Sequence, residues 1–400
     1  MQAAAGHAHN SRLDLVDALR GCAIASIMLL HNIEHFDLAH VPAGAPAWLA
    51  SVDRHVRDGA FFLFGGKSYA IFALLFGVTF HLQLSARAGR GEDFRPRFVW
   101  RMLLLLAFGL FNSLFYQGDI LTLYAVLALA LLPVARLRDG AVLAVAVVLL
   151  LQPGAWLALF QAWPHPARTL PDPASWTYFG RAAAYLAEGS LMDVWAGNLG
   201  NGKEAVIRWS WENGRLFQIP ALFMLGMLAG RRQLFALTPA ARAFWRKALL
   251  LALPAFVVLY IVKTSLGAWI AAEGLRRPVA VIIESWSNLS FMLVLVALFA
   301  LLYHAGAPAR LLQRCAPLGR MSLTNYVVQS LVGTTLYYGF GFGLYEVTGA
   351  TVCLLIGLTL ALLQGALCAW WLRHRRQGPL EALWHRATWI GAPPRALSAP

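Results

Sequence analysis

The sequence has 400 residues, of which 59% are hydrophobic and only 13% are charged, and its formal net charge is +14. Ordinary soluble domains contain about 45 to 50% apolar and about 25% charged residues. The composition therefore excludes an ordinary soluble protein and predicts a single integral membrane domain over residues 1–400. No nucleic-acid-binding motif is visible, so the positive charge is interpreted as membrane topology and contact with anionic headgroups.

Ten apolar segments are long enough to cross a hydrocarbon core of about 30 Å as helices, which rise about 1.5 Å per residue. The predicted fold class is therefore an all-α polytopic membrane helical bundle with about ten transmembrane helices. The segments span residues 17–36, 60–84, 98–116, 120–135, 141–160, 214–230, 246–266, 280–304, 318–343 and 349–372.

The Lys and Arg residues are distributed unequally between the two sets of loops. With the N-terminus inside, 22 of the 33 basic residues fall on the inner side and 10 on the outer side, while Lys67 lies within a segment. Cytoplasmic loops carry an excess of positive charge, so both termini are predicted to be cytoplasmic. A signal peptide cleaved after Ala43-Gly44-Ala45 is the alternative, and cleavage there would upset this charge count.

The longest loop, residues 161–213, lies outside in this topology and contains five tryptophans. Tyr178, Ala182, Tyr185 and Leu186 have helical spacing, which predicts an interfacial helix over an outer mouth. An aromatic belt at the lipid headgroups is the simpler interpretation of the tryptophans, and stacking on sugars is the alternative.

The stretch LLHNIEHF places His31, Glu34 and His35 together after an apolar run, and these three side chains are predicted to share one helical face. Three interpretations are open. A zinc site would need a further ligand, and the sequence offers no recognisable ligand helix. In the second interpretation the two histidines have a structural role, with Glu34 as their polar partner. In the third, which is favoured, a histidine is a general base. An imidazole has a pKa near 6.5, and burial or a nearby carboxylate can shift that pKa toward the pH at which the protein acts.

Lys67 lies within an apolar segment and is preceded by two glycines. A charge near the bilayer centre costs roughly 2.5 to 3.5 kcal/mol, so Lys67 is predicted to have an anionic partner. The candidates, in order of preference, are Glu34, Asp119 and Glu284. Such a pair could also be purely structural.

Ser322, Asn325 and Gln329 form a polar stripe on the ninth segment. Such a stripe must face protein or water, and hydrogen bonding between helices is its default role.

Several motifs resemble the YeiB-like family of bacterial multi-pass membrane proteins, and the resemblance covers nearly the whole chain. The most specific stretch is GRMSLTNYVVQS. The first segment also resembles that of membrane O-acyltransferases, in which a His follows an inner Arg by eleven residues, as His31 follows Arg20. The matching motifs are DALRG (17–21), HNI (31–33), KSYAIFALLFG (67–77), GDIL (118–121), GRMSLTNYVVQS (319–330) and RQGPLEALW (376–384).

The family is more distantly similar to the heparan-alpha-glucosaminide N-acetyltransferase, which implies transmembrane acyl transfer, with acetyl the favoured group. Acyl-CoA would enter from the cytoplasm and act as a substrate, with no permanently bound cofactor. His31 would be the general base, oriented by Glu34 or His35, and Asn32 would donate to the oxyanion. Candidate residues for binding acyl-CoA or the acceptor are Arg20, Lys67, Arg101, Asp119, Arg320, Asn325 and Gln329.

Two other classes of function remain open. A transporter or proton-coupled permease could use Lys67, Glu34 and Glu284, with helices interrupted near Gly65 and Gly66. A non-catalytic membrane protein is the third possibility. The expected partners are the lipid bilayer of the bacterial inner membrane, acyl-CoA and a small-molecule or glycan acceptor, with no nucleic acid. A homo-oligomer is compatible with the sequence.

Overall fold

A computed structural model of the chain describes residues 2–38, 40–42, 44–166 and 170–390. Of residues 2–13 it describes the backbone alone, and Ala43 of the alternative cleavage site lies outside the described residues. The described part of the chain is helical and contains no strand. This confirms the all-α fold class.

The described residues form nineteen α-helices, with short 3₁₀ turns at residues 128–130, 313–315 and 344–346 and a π turn at 198–202. The first eight are α1 (Gln2–Ile33), α2 (Ala47–Phe64), α3 (Ser68–Ala88), α4 (Arg95–Phe115), α5 (Leu121–Leu127), α6 (Leu131–Val134), α7 (Asp139–Leu150) and α8 (Pro153–Ala162). The others are α9 (Ala174–Ala187), α10 (Leu191–Gly197), α11 (Lys203–Glu212), α12 (Arg215–Arg231), α13 (Pro239–Trp269), α14 (Glu273–His304), α15 (Ala307–Leu312), α16 (Ala316–Arg320), α17 (Ser322–Tyr337), α18 (Ala350–His374) and α19 (Pro379–Thr388).

Six helical stretches of the described chain are long and apolar enough to cross a membrane, or seven if α7 and α8, bent by 40°, form one crossing. They indicate a multi-pass membrane protein. Each of the ten predicted segments contains helix, but α12 has 17 residues and α17 has 16, and the segment 120–135 is divided between α5 and α6. These helices are too short or too irregular to be recognised as spans by length alone.

Two glycines allow α3 and α12 to touch along their backbones. A Cβ atom on Gly77 would lie 1.9 Å from the carbonyl oxygen of Phe223, and one on Gly226 would lie 1.9 Å from that of Leu74. Any side chain at either position would therefore force the helices apart. Small residues at such crossings are typical of helix packing in membranes. The last residue of the motif KSYAIFALLFG is explained by this contact.

Glycines also join α1 to α16. A Cβ on Gly21 would lie 1.9 Å from the carbonyl oxygen of Cys315, and one on Gly319 would lie 1.9 Å from that of Asp17. Gly21 ends the motif DALRG and Gly319 begins GRMSLTNY. These two motifs therefore meet at one helix crossing.

The start of α17 is capped by a carboxylate from α19. One oxygen of Glu381 accepts hydrogen bonds from the backbone N–H groups of Leu323 and Thr324 at 2.8 and 3.0 Å, and the other accepts from the Thr324 hydroxyl at 2.6 Å. The first N–H groups of a helix have no partner within the helix itself. Glu381 supplies that partner and joins GRMSLTNY to GPLEALW.

The polar stripe of α17 faces protein in part, as expected. The Asn325 amide donates to the carbonyl oxygen of Leu318 at 2.9 Å, and its own oxygen accepts from the Cys368 thiol of α18 at 3.2 Å. Gln329 is buried, and neither of its amide atoms has a hydrogen-bond partner among the described residues. Asn325 therefore links helices, whereas Gln329 does not.

Candidate functional site

A cavity of about 710 Å³ lies among the ends of several helices of the bundle. The end of α1, the start of α3 and the start of α12 contribute to its wall, and Phe179 of α9 and Trp209 of α11 also line it. The 161–213 segment therefore borders the cavity, and it contains the helix predicted from Tyr178 to Leu186. The charged and imidazole side chains that line the cavity are His31, Glu34, Asp37, Asp58, Lys67, Asp119, Arg215, Lys263 and Glu284.

His31 lies on the cavity wall and is held by aromatic packing. Its ring centroid is 4.7 Å from that of Tyr116 and 5.4 Å from that of Phe36. The buried Nδ1 atom has no hydrogen-bond partner among the described residues. A ring nitrogen in this state can accept or deliver a proton when a substrate enters the cavity.

The expected arrangement of His31, Glu34 and His35 on one helical face is wrong. The helix α1 ends at Ile33, and His35 is followed by two more residues with positive φ angles. This left-handed stretch turns the chain away from the helix axis. His35 therefore leaves the cavity, and its Nε2 atom donates to the carbonyl oxygen of Thr348 at 2.9 Å. His35 cannot orient the His31 ring from that position.

Asn32 is also absent from the cavity wall, in contrast to its expected role at the oxyanion. The side chain is fully buried, its amide donates to the carbonyl oxygen of Met28 at 2.8 Å, and its oxygen accepts from the Tyr337 hydroxyl at 3.0 Å. Both polar atoms are thus engaged in packing α1. Because the side chain is fully buried and does not line the cavity, its second amide hydrogen is not available to a substrate there.

No metal centre can be assembled from the opening motif as folded. Within the described part of the chain, no group of three His, Cys, Asp or Glu side chains is arranged to hold a metal ion. His31 and His35 point into different surroundings, which removes the pair of imidazoles that a zinc site would use.

Lys67 lines the cavity, but the carboxylate partner predicted for it is not found. The Nζ atom is 3.5 Å from the carbonyl oxygen of Phe61 and lies 5.6 Å from the ring centroid of Phe291. Among the described residues, Lys67 forms no salt bridge. The third candidate partner, Glu284, is paired instead with Lys263 at 2.9 Å.

The second candidate partner, Asp119, is fully buried and binds three other groups. One carboxylate oxygen accepts from the Asn112 amide at 3.0 Å, and the other accepts from the backbone N–H of Thr122 at 2.9 Å and lies 3.9 Å from Lys203 Nζ. Burial raises the pKa of Asp119 and lowers that of Lys203, and each charge opposes the shift of the other. Asp119 therefore links the 161–213 segment to the bundle.

Arg215 is a cavity residue that the sequence reasoning missed. Its guanidinium group lies between two rings, 4.1 Å from the centroid of Tyr69 and 3.8 Å from that of Trp209. Its charge also interacts with Glu34. The sequence does carry a signal, because Arg215 is a basic residue at the start of the apolar segment 214–230.

Asp37 is a second missed residue. It lines the cavity and accepts a hydrogen bond from the Tyr116 hydroxyl at 3.3 Å. Burial raises the pKa of Asp37 to about 6, while that hydrogen bond acts in the opposite direction. The carboxyl group can therefore change its protonation state near neutral pH.

The arginines proposed for the phosphates of CoA do not line the main cavity. Arg20 is paired with Asp17 at 2.8 Å and also donates to the Thr79 hydroxyl at 2.8 Å. Arg320 donates to a backbone carbonyl oxygen at 3.3 Å. Arg101 lines a separate, smaller cavity. Asn325 and Gln329 are also outside the main cavity, so Lys67 and Asp119 are the predicted binding residues that border it.

Comparisons with known proteins place the chain among bacterial relatives. Residues 229–391 match the family described as "Protein of unknown function (DUF418)". The chain is 27% identical to the uncharacterized protein YxaH of Bacillus subtilis, covering 97% of this chain and 96% of the relative. It is 28% identical to the uncharacterized protein YeiB of Escherichia coli, covering 95% and 97%. The resemblance to YeiB-like proteins is confirmed.

A third relative is an uncharacterized 39.9 kDa protein of Bacillus acidopullulyticus, which is 26% identical over 95% of this chain and 94% of its own length. No solved structure matches the chain significantly. The DUF418 match includes Lys263 and Glu284 but begins at residue 229, well after α1. His31 therefore lies in the part that only the full-length relatives cover.

Proposed function

We propose that this protein transfers an acyl group, with acetyl favoured, from cytoplasmic acyl-CoA to an acceptor at the outer side of the bacterial inner membrane. The acceptor would be a small molecule or a glycan. One observation carries the proposal: the imidazole of His31 lines a large cavity that several charged side chains also line, and its Nδ1 atom has no hydrogen-bond partner among the described residues.

The proposed reaction begins with a neutral His31 ring. The imidazole takes the proton from an acceptor hydroxyl or amine as the acceptor atom attacks the thioester carbon, and the carbon–sulfur bond then breaks. The imidazolium returns the proton to the departing thiolate of CoA, so the histidine ends the cycle unchanged. Lys67 and Arg215 line the same cavity and would stabilise the developing oxyanion in place of Asn32.

The proposed topology has ten crossings, both termini in the cytoplasm, and the 161–213 segment outside. The excess of basic residues on the inner loops supports it. Ser175 is buried, so an accessibility probe belongs at the exposed Ala183. A cysteine at Ala183 should react with an impermeant reagent in intact cells, and one at the exposed Ala88 should react only after permeabilisation. The reverse pattern would invert the topology.

The catalytic proposal is tested by acyl transfer in proteoliposomes with acetyl-CoA as donor. His31→Gln should lower the turnover rate by about 10² to 10⁴, the contribution typical of a general base, with little change in acetyl-CoA binding. The matched control is His55→Gln, since His55 is exposed on α2, does not line the cavity and is hydrogen-bonded to the Ser51 carbonyl oxygen. Full activity in His31→Gln would eliminate the proposed mechanism.

Transport of a solute is the second candidate, and a different observation favours it. Gly65 and Gly66 interrupt α2 and α3 at the cavity, and Lys67 beside them has no carboxylate partner among the described residues. Interrupted helices with a free charge at a cavity are a common arrangement in transporters. Counterflow of a solute that stops in Lys67→Met and persists in His31→Gln would support transport over acyl transfer.

A further inference from the structure

A second cavity, of about 260 Å³, lies where the end of α3 and the start of α4 meet α19. It is separate from the cavity that contains His31. In the proposed topology it faces the cytoplasmic side of the membrane. Its lining residues include Arg87, Arg90, Arg101, His385 and Trp389.

Three arginines are among the residues around this cavity, although the surface that lines its interior is mostly apolar. Within the described part of the chain, no carboxylate lines it. Arg87 is paired with Glu92 at 2.8 Å, but neither Arg90 nor Arg101 has a carboxylate partner among the described residues. Like charges that lie this close together repel one another, and a bound anion would relieve that repulsion.

Two tryptophans, Trp384 of α19 and Trp389 directly after that helix, pack against the guanidinium groups. Arg87 lies 3.9 Å from the ring centroid of Trp389, and Arg97 lies 5.3 Å from the same ring. Arg101 lies 4.0 Å from the centroid of Trp384 and donates to a threonine hydroxyl at 3.2 Å. Because these side chains already pack against rings, a ligand would lose little of its binding energy to fixing them.

Guanidinium groups bind phosphate through charge-assisted hydrogen bonds, often two at a time. Basic pockets between helices at the cytoplasmic interface suit lipid phosphates, and a stacked ring such as Trp389 would suit a planar base. Both ligands present the same chemistry to this cavity, namely a phosphate ester joined to an apolar or aromatic group.

We propose that the cavity formed by Arg87, Arg90, Arg101 and Trp389 is a binding site for a phosphate ester. The ester is supplied by an anionic phospholipid headgroup or by a water-soluble nucleotide. The proposal does not depend on acyl transfer, because His31 lies in the other cavity. His31→Gln should therefore leave this binding unchanged.

Two binding measurements on the full-length protein distinguish the two sources. Native mass spectrometry counts phosphatidylglycerol retained by protein from mixed vesicles of phosphatidylcholine and phosphatidylglycerol. Thermal unfolding in detergent measures stabilisation by adenosine 3′,5′-bisphosphate, with inorganic phosphate as the minimal anion. Retention of phosphatidylglycerol alone identifies the lipid source, and stabilisation by the bisphosphate identifies the soluble source.

Arg101→Gln should weaken binding of whichever probe is retained about tenfold, the loss expected for one charge-assisted contact. Arg90→Gln should weaken it by a smaller factor, and because Arg90 is exposed this variant tests the site without disturbing packing. The matched control is Arg136→Gln, whose side chain is 71% exposed outside the cavity. Binding of neither probe, or an equal loss in Arg136→Gln and Arg90→Gln, would overturn the proposal.

Discussion

The side-chain nitrogen of Lys203 lies 3.9 Å from Oδ2 of Asp119, and the two residues come from separate parts of the chain. Asp119 follows α4, whereas Lys203 begins α11 in the 161–213 segment. The Asp119 side chain is fully buried, and that of Lys203 is 15% exposed. The pair therefore joins the 161–213 segment, which borders the His31 cavity, to the rest of the helical bundle.

Breaking this pair on one side should destabilise the protein more than removing both charges. Lys203→Met leaves a buried carboxylate without its cation and should cost about 3 to 5 kcal/mol, while Lys203→Met combined with Asp119→Asn should recover much of the loss. Thermal unfolding in detergent measures both. The control is Arg208→Gln, whose pair with Glu204 is solvent-exposed and should contribute little to stability. Equal losses in the single and double variants would show that the pair is not coupled.

Asp37 should make the stability depend on pH in an unusual direction. Burial raises its pKa from 3.8 to about 6, so the folded protein binds this proton more tightly than the unfolded chain does. The corresponding stability is fully present below about pH 4 and is lost as the pH rises through 6. Asp37→Asn should flatten the unfolding temperature between these values.

The control for the pH experiment is Asp172→Asn, an exposed carboxylate of the 161–213 segment. Its profile should follow that of the unsubstituted protein. An unchanged pH profile in Asp37→Asn would show that Asp37 is not the titrating group.

His35→Ala should separate stability from activity. The variant removes the hydrogen bond to Thr348 and the ring packing on Tyr337, whose centroid is 5.0 Å away. A loss of about 1 to 3 kcal/mol is expected from such a buried group. Activity per folded molecule should remain, since His35 does not line the cavity. A loss of turnover as large as that of His31→Gln, without a loss of stability, would return His35 to the reaction.

Gly77→Leu should disrupt the crossing of α3 and α12. A Cβ alone would meet backbone atoms of α12 at 1.9 Å, and backbone cannot move aside as a side chain can. We expect loss of folded protein, measured by the yield of monodisperse material after extraction. Gly180→Ala is the matched control, because a Cβ there meets nothing within 4 Å and α9 should be stabilised by about 0.4 to 1 kcal/mol. Normal yield from Gly77→Leu would contradict the close crossing.

The helices could be predicted from the sequence to a large extent, because long apolar runs need helices whatever surrounds them. The local fold at LLHNIEHF could not. Helical spacing places His31 and His35 on one face, but the left-handed residues after Ile33 break that geometry, and no glycine marks the site. His31 itself was identified, since its position depends only on the helix before it.

The charged pairs were the least predictable part of the site. Lys67 needed an anion on simple electrostatic grounds, and the nearest acids in sequence and depth were reasonable choices. Asp119 and Glu284 are instead paired with Lys203 and Lys263. Pairing between distant segments depends on how the helices assemble, which the hydrophobic pattern of each helix does not specify.

The order of synthesis determines when the carboxylate of Glu381 can cap α17. Glu381 is 58 residues downstream of Leu323, so the whole of α17 is synthesised before its cap exists. The helix α19 that carries Glu381 also carries Trp384 against Arg101. A chain that stops before residue 379 would keep all of its apolar segments and could insert fully into the membrane. It would still lack the cap on α17 and one wall of the basic cavity, so insertion and completion of this fold are separate events.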